Sequence, residues 1–132
     1  MENCIFCKIV NNDIKANTIY EDEKVKVFLD ANPITNGHML IIPKAHRTNI
    51  LDMEDELILH SVKLIKEKLY PLLKEKLHCD GVTISQNNEY GQEIKHFHIH
   101  VIPRYTDDQD THIYNKDMLI PIDDVYSKLM SK

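Results

Sequence analysis

From His96 to Val101 the chain alternates without a break: His96, His98 and His100 fall on one parity, and Phe97, Ile99 and Val101 on the other. A period of two is that of a β-strand. The pattern therefore predicts a strand over 95–103, with three imidazoles on one face and three apolar groups turned into a core. Pro103 has no amide to donate and is expected to end the pairing. Similar patterns predict strands at Thr18–Glu21 and Lys24–Leu29, joined as a hairpin at Asp22-Glu23, and at Gly81–Gln86. A further strand, His38–Pro43, is mostly apolar and so expected at the centre of the sheet. In the second strand Val25, Val27 and Leu29 share one face, and Phe28 and Asp30 lie on the other.

Ile58, Val62, Ile65, Leu69, Leu72 and Leu73 recur at three- and four-residue spacing, which predicts one long amphipathic helix. It should start near Met53, capped by Asp52, with Glu54, Asp55 and Glu56 against the positive end of the dipole. Pro71 should kink or split it, because a straight run through proline costs about 3 kcal/mol. Met1 to Asn12 holds a short helix or turn. Asp30–Gly37 reads as a loop from its Asn-Pro and Asn-Gly pairs, and Asn87–Gln92 as a turn. An acidic loop at Asp107–Asp110 precedes a terminal helix from Ile122 to Met130. With no repeat or linker, residues 1–132 are expected to form one domain, its motif-bearing core at 4–104 and a tail at 105–132.

Composition narrows the function. A chain of 132 residues that is 42% hydrophobic and 28% charged is ordinary for a globular protein. A formal net charge of −5 and the lack of a basic stripe argue against a nucleic-acid polymer as partner, though not against a single nucleotide. No apolar run approaches the roughly 18 residues of a membrane span, and no signal pattern opens the chain. A cytoplasmic protein is expected, in which the three cysteines are thiols or metal ligands rather than disulfides.

The candidate chemistry sits on the histidine strand. Side chains two apart on a strand are about 6.5 Å apart. Two such imidazoles can converge on a metal; three can supply a nucleophile, a phosphate donor and an orienting group. Cys4-x-x-Cys7 is half of a zinc site or a redox motif, and nothing around it has a thioredoxin pattern.

The run His96-Phe97-His98-Ile99-His100-Val101-Ile102 resembles the signature of the histidine triad family, in which three histidines alternate with apolar residues. The resemblance extends through Ile5-Phe6-Cys7-Lys8-Ile9, Phe28-Leu29-Asp30, Pro33, the run from Gly37 to His46, and Gly91-Gln92, so it covers about Cys4 to Arg104. It implies an α+β domain: a mostly antiparallel five-stranded sheet with one long helix and short terminal helices, two subunits pairing into a larger sheet as a homodimer. It implies hydrolysis or transfer at the α-phosphate of purine nucleotides such as AMP derivatives, with nucleoside phosphoramidates as the expected substrates. The alternatives are a dinucleoside polyphosphate hydrolase, a His-cluster metalloenzyme using Glu93, and a non-catalytic nucleotide sensor.

By position in the family, His98 is the nucleophile, His100 a phosphate donor, and His96 and His38 complete the polar cluster. Asp30 would accept from ribose hydroxyls, and Asn87 (or Asn88) and Gln92 would donate to phosphate. Phe28, Ile5, Phe6 and Ile9 would line the base pocket. The resemblance also implies a structural zinc on Cys4, Cys7, His46 and His96, with no organic cofactor. Two departures stand out: Glu93 follows the glutamine where one branch has serine, and the 87–92 loop is about two residues short. Cys79 has no partner in this scheme, and His60, His78 and His112 are expected at the surface.

Overall fold

In the computed structural model, which describes residues 3–108 and 116–131, five antiparallel strands form one sheet in the order β1-β2-β3-β5-β4. They are β1 (Thr18–Glu21), β2 (Val25–Leu29), β3 (Met39–Pro43), β4 (Gly81–Ser85) and β5 (Ile99–Arg104). The apolar β3 is the middle strand, every residue of it buried. The helices are α1 (Ile5–Val10), α2 (Asp55–Leu64), α3 (Tyr70–Leu77) and α4 (Ile122–Met130). The chain has the expected α+β architecture.

The period of two divides the sheet into its two faces. Val25, Val27, Met39, Ile41, Phe97, Ile99 and Val101 pack beneath α2 and α3 against Leu57, Leu64, Leu69 and Leu73. Phe28, Leu40 and Ile42 face the other way and are covered by Phe6 and Ile9 of α1. The histidine parity falls on this second, thinly covered face, where a ligand has room to approach.

Several expectations are corrected. β5 begins at Ile99 rather than at residue 95, because its neighbour β3 ends in Pro43. Extending the register would set Phe97 opposite Pro43, which has no amide; the Phe97 N–H instead reaches the Arg47 carbonyl at 2.6 Å. At the far end Pro103 does not stop the strand, which runs on to Arg104 with Pro103 paired to Val82. Its carbonyl points away from β4 and accepts from Thr35 Oγ1 at 2.6 Å, so the missing amide falls on a side where β4 needs no donor.

Asp52 does not cap the long helix. Its carboxylate accepts from the Thr48 and Asn49 amides and closes a short turn at Ile50–Asp52, and α2 starts after Glu54. Pro71 interrupts the long α-helix, as expected, without stopping the helical run. The turn before it, Ile65–Leu69, widens to π-helical geometry, with the Tyr70 N–H bonding the Ile65 carbonyl, and α3 then carries Pro71 in its first turn. Val62 is 41% exposed rather than core; Leu57, Ser61 and Leu64 take the buried stripe.

His60 is not a free surface residue: its Nε2 lies 2.7 Å from Asp22 Oδ2 and ties α2 to the β1–β2 turn. His78 ends α3 in the left-handed region at φ 56°. Of the acidic loop, Asp108 grips the Arg104 guanidinium with both oxygens, at 2.7 and 2.8 Å. Gln109, Asp110 and His112 lie outside the described residues. Gly37, at φ 96°, is where the chain turns into His38 and β3; a Cβ there would sit 2.6 Å from Leu77 Cδ1. Among the described residues no helix is long and apolar enough to cross a membrane.

Candidate active site

Alternation along 96–100, the turn through Gly37 and the docking of α1 place the candidate side chains along one cleft of about 940 Å³. Ile5, Phe6, Ile9 and Phe28 give it an apolar lining, and Asp30, His38, Asn87, Glu93, His98 and His100 a polar one. Phe6 meets both Phe28 and His98 edge-on, with ring centroids 5.8 and 5.1 Å apart.

Main-chain groups set the proton on each imidazole, because a carbonyl can only accept and an amide can only donate. His98 Nδ1 lies 2.8 Å from the His96 carbonyl. That nitrogen therefore carries the proton, and the lone pair of neutral His98 is left on Nε2. The Ile34 N–H donates to His38 Nδ1 at 3.1 Å, so the proton of neutral His38 is on Nε2. That Nε2 lies 3.0 Å from His100 Nδ1 and 3.5 Å from Asp30 Oδ2. His100 Nδ1 must then accept, and the His100 proton is on Nε2. The outcome is one bare nitrogen on His98 beside one N–H donor on His100, their rings 5.0 Å apart.

Burial keeps the charge off His38 and His100. Burial, helped by the nearby His98 and His38, pushes His100 down to about 4, with Asp30 opposing. Burial also lowers His38, again with Asp30 opposing. In its neutral form His98 would offer its Nε2 lone pair as a nucleophile.

The remaining histidine of the strand faces elsewhere. His96, fully buried, donates from Nε2 to the Pro43 carbonyl at 2.9 Å and turns Nδ1 toward Cys4 Sγ at 3.3 Å and Cys7 Sγ at 3.5 Å. His46 Nδ1 is 3.2 Å from Cys7 Sγ, and the four ligand atoms all lie within 4.8 Å of one another. The thiols converge because Cys4 caps α1, its sulfur accepting from the Cys7 amide at 3.3 Å. A tetrahedral zinc with bonds of about 2.0–2.3 Å spaces its donors by about 3.5 Å. The donor set fits zinc in number, type and spacing, and the carbonyl behind His96 fixes the ligating nitrogen. Burial, then the hydrogen bond and charge of Cys4, push the Cys7 thiol up to about 11, so two thiolates this close need a cation between them.

A second group, Asp30, His38 and His100, also lies within 4.8 Å. It is a poor metal site: the Ile34 amide occupies His38 Nδ1, and Nε2 carries a proton an ion would have to displace.

Gln92 is corrected. It is 4% exposed and does not line the cleft. Its Nε2 donates to the Thr48 and Ile94 carbonyls at 2.6 and 2.9 Å, and its Oε1 accepts from the Glu89 amide, so it clasps the 87–92 loop and has no donor for phosphate. Asn88 likewise serves the loop, accepting from the Ile50 amide. Asn87 does face the cleft. Ile14, Ala16, Asn17 and Ile94 also line it and were missed, since they sit in irregular segments with no periodicity to mark them.

Comparison with known proteins agrees with this geometry. The HIT domain profile matches residues 11–107. An uncharacterized HIT-like protein of Methanocaldococcus jannaschii is 39% identical over 128 residues, covering 96% of this chain and 98% of that protein. The adenosine 5'-monophosphoramidase HNT1 of Saccharomyces cerevisiae is 35% identical over 103 residues, covering 76% of this chain and 62% of the yeast protein. Among solved structures, a Zn-bound histidine triad family protein from Mycobacterium smegmatis superposes with TM-score 0.78 at 34% identity, covering 88% of this chain and 85% of that one. The matched span contains the three alternating histidines and the fourth at His38, and with such relatives along its length the chain belongs to the histidine triad (HIT) family.

Proposed function

We propose that the protein hydrolyses purine nucleoside phosphoramidates through a nucleotidyl-His98 intermediate. The observation that carries this reading is the hydrogen-bond pattern of the cluster: a bare Nε2 on His98, set by the His96 carbonyl, beside a protonated Nε2 on His100, set through His38 and the Ile34 amide. His98 Nε2 attacks the α-phosphorus. A P–N bond to His98 forms, the P–N bond to the leaving amine breaks, and the amine nitrogen takes a proton from solvent as it departs. Water then attacks phosphorus and returns a proton to solvent, the bond to His98 breaks, and the nucleoside monophosphate leaves. His100 donates to the phosphoryl oxygen as charge gathers on it. Asp30 takes the ribose hydroxyls, Asn87 is a phosphate donor from the loop, and Ile5, Phe6, Ile9 and Phe28 hold the base.

The charge of the cleft favours an amine over a polyphosphate leaving group. Among its described lining residues Lys15 is the one lysine or arginine, and Asp30 and Glu93 are both acidic. The yeast relative's named activity points the same way. Zinc on Cys4, Cys7, His46 and His96 would have all four positions filled by protein; it would supply a fixed cross-link between α1 and the sheet and take no part in the reaction. A homodimer would pair the open edge of β4, where Ile84 is 46% exposed, into one larger sheet.

The test is hydrolysis of an adenosine phosphoramidate by the wild type and by His98→Ala, each after chelation, with a dinucleoside polyphosphate run in parallel. Turnover that survives chelation and is lost in the variant is the expected result. Turnover that chelation abolishes in folded wild type would sink the covalent-histidine reading in favour of metal catalysis. Preference for the polyphosphate would assign the other branch.

A further inference from the structure

One buried charge lies outside the reacting cluster. Lys26 is 2% exposed, the second residue of β2. Carrying an ammonium into a sheet face is costly unless it is fully paired. Here Nζ donates to the Ile9 carbonyl and to Asn12 Oδ1, both at 3.0 Å, with Glu21 Oε1 at 4.0 Å. Ile9 belongs to the last turn of α1, where the dipole is negative, and its carbonyl also accepts from the Asn12 amide at 3.1 Å, so Lys26 and the turn share one acceptor. Asn12, at φ 65°, is the residue that reverses the chain after α1.

The position matters for the cleft. Lys26 and Phe28 occupy successive sites on one face of β2, and Asp30 follows at the same parity just past its end. Phe28 and Asp30 line the cleft and Lys26 does not. It sits beneath the turn from which both walls of the apolar lining depart. One wall is α1 with Ile5, Phe6 and Ile9; the other is the segment carrying Ile14, Ala16 and Asn17. The opposite end of α1 is held by the Cys4–Cys7 cluster, so the helix is tied at both ends.

We infer that Lys26 is a positioning residue for nucleotide binding: it clamps the turn after α1 and so holds the base-binding walls in place without touching the ligand. The inference rests on the cleft taking a nucleotide. It is tested by AMP titration calorimetry and phosphoramidate kinetics on the wild type, Lys26→Met and Lys26→Arg. Methionine keeps the unbranched apolar stem and removes the charge and donors; arginine restores both. The expected result is an AMP Kd and a substrate KM raised about tenfold in Lys26→Met, with kcat within about twofold and most of the affinity regained in Lys26→Arg. If Lys26→Met does not fold, Asn12→Gly decides. It keeps the left-handed turn, removes one acceptor, and should raise the Kd about threefold. An unchanged Kd, or a kcat that falls in step with affinity and is not rescued by arginine, overturns the inference. Wild type that binds no AMP overturns the nucleotide reading itself, and this inference with it.

Discussion

His38 offers the sharpest test of how the cluster is armed. Replacing it with leucine fills much the same buried space and removes both ring nitrogens. The Ile34 amide then loses its acceptor and His100 Nδ1 loses its donor, from bonds of 3.1 and 3.0 Å. A hydrogen bond of this kind is worth about 1–1.5 kcal/mol. Without it, nothing holds the His100 proton on Nε2, and a fraction of molecules present a bare nitrogen to the phosphoryl oxygen. The loss should be about tenfold in kcat, with a smaller change in KM, because the missing interaction strengthens only as charge develops. Nitrogen-15 chemical shifts of the imidazoles read the tautomers directly, at a temperature where circular dichroism shows the variant folded. In wild type, His100 should show a protonated Nε2 and an unprotonated Nδ1; in His38→Leu the two signals should average. A variant that keeps the wild-type His100 shifts, or keeps full kcat after losing them, would refute the relay.

Two further outcomes follow from the geometry. The protein should bind one zinc per chain. Cys7→Ser should lower that stoichiometry and the melting temperature while leaving His98 chemistry measurable at low temperature, so a variant that keeps full zinc by atomic absorption would remove Cys7 from the donor set. The second concerns acid stability. Burial raises the Asp22 carboxyl, but the Val25 and Lys24 amides and then His60 and Tyr20 outweigh it and bring it down to about 2 from 3.8. A folded pKa below the unfolded one stabilises the protein above pH about 4, and that contribution disappears as pH falls toward 2. With solvent screening it amounts to about 1 kcal/mol. Urea titrations of Asp22→Asn should therefore show a loss at pH 7 that vanishes near pH 2; an equal loss at both would dismiss the charge as its origin.

The division between chain and fold can be followed residue by residue. Alternation alone was enough to set His98 and His100 on the face opposite Phe97, Ile99 and Val101, because a strand offers only two directions. Hydrophobicity placed β3 at the centre, and the family resemblance pointed to Cys4, Cys7, His46 and His96, a donor set that the fold brings within 4.8 Å. Strand ends were less legible. Whether Pro43 or Pro103 stops a ladder depends on which side its missing amide faces, and that is a property of the neighbouring strand. Gln92 looked like a phosphate ligand because a motif records residue type and spacing but not which way an amide points. Lys26 shares the parity of Phe28 and Asp30, a signal that could have marked it, yet a lysine in a strand ordinarily reads as solvated.

What the sequence determined by itself is the alternation that sorts candidate side chains onto two faces, since period and residue type are local. Only the tertiary structure decided which nitrogen of each imidazole carries the proton and which polar groups face the ligand. Those choices depend on contacts among residues the sequence keeps apart: the Pro43 carbonyl on His96, His38 on His100, and the Lys26 ammonium on Ile9. A hydrogen bond has a direction, and no periodicity along the chain encodes it.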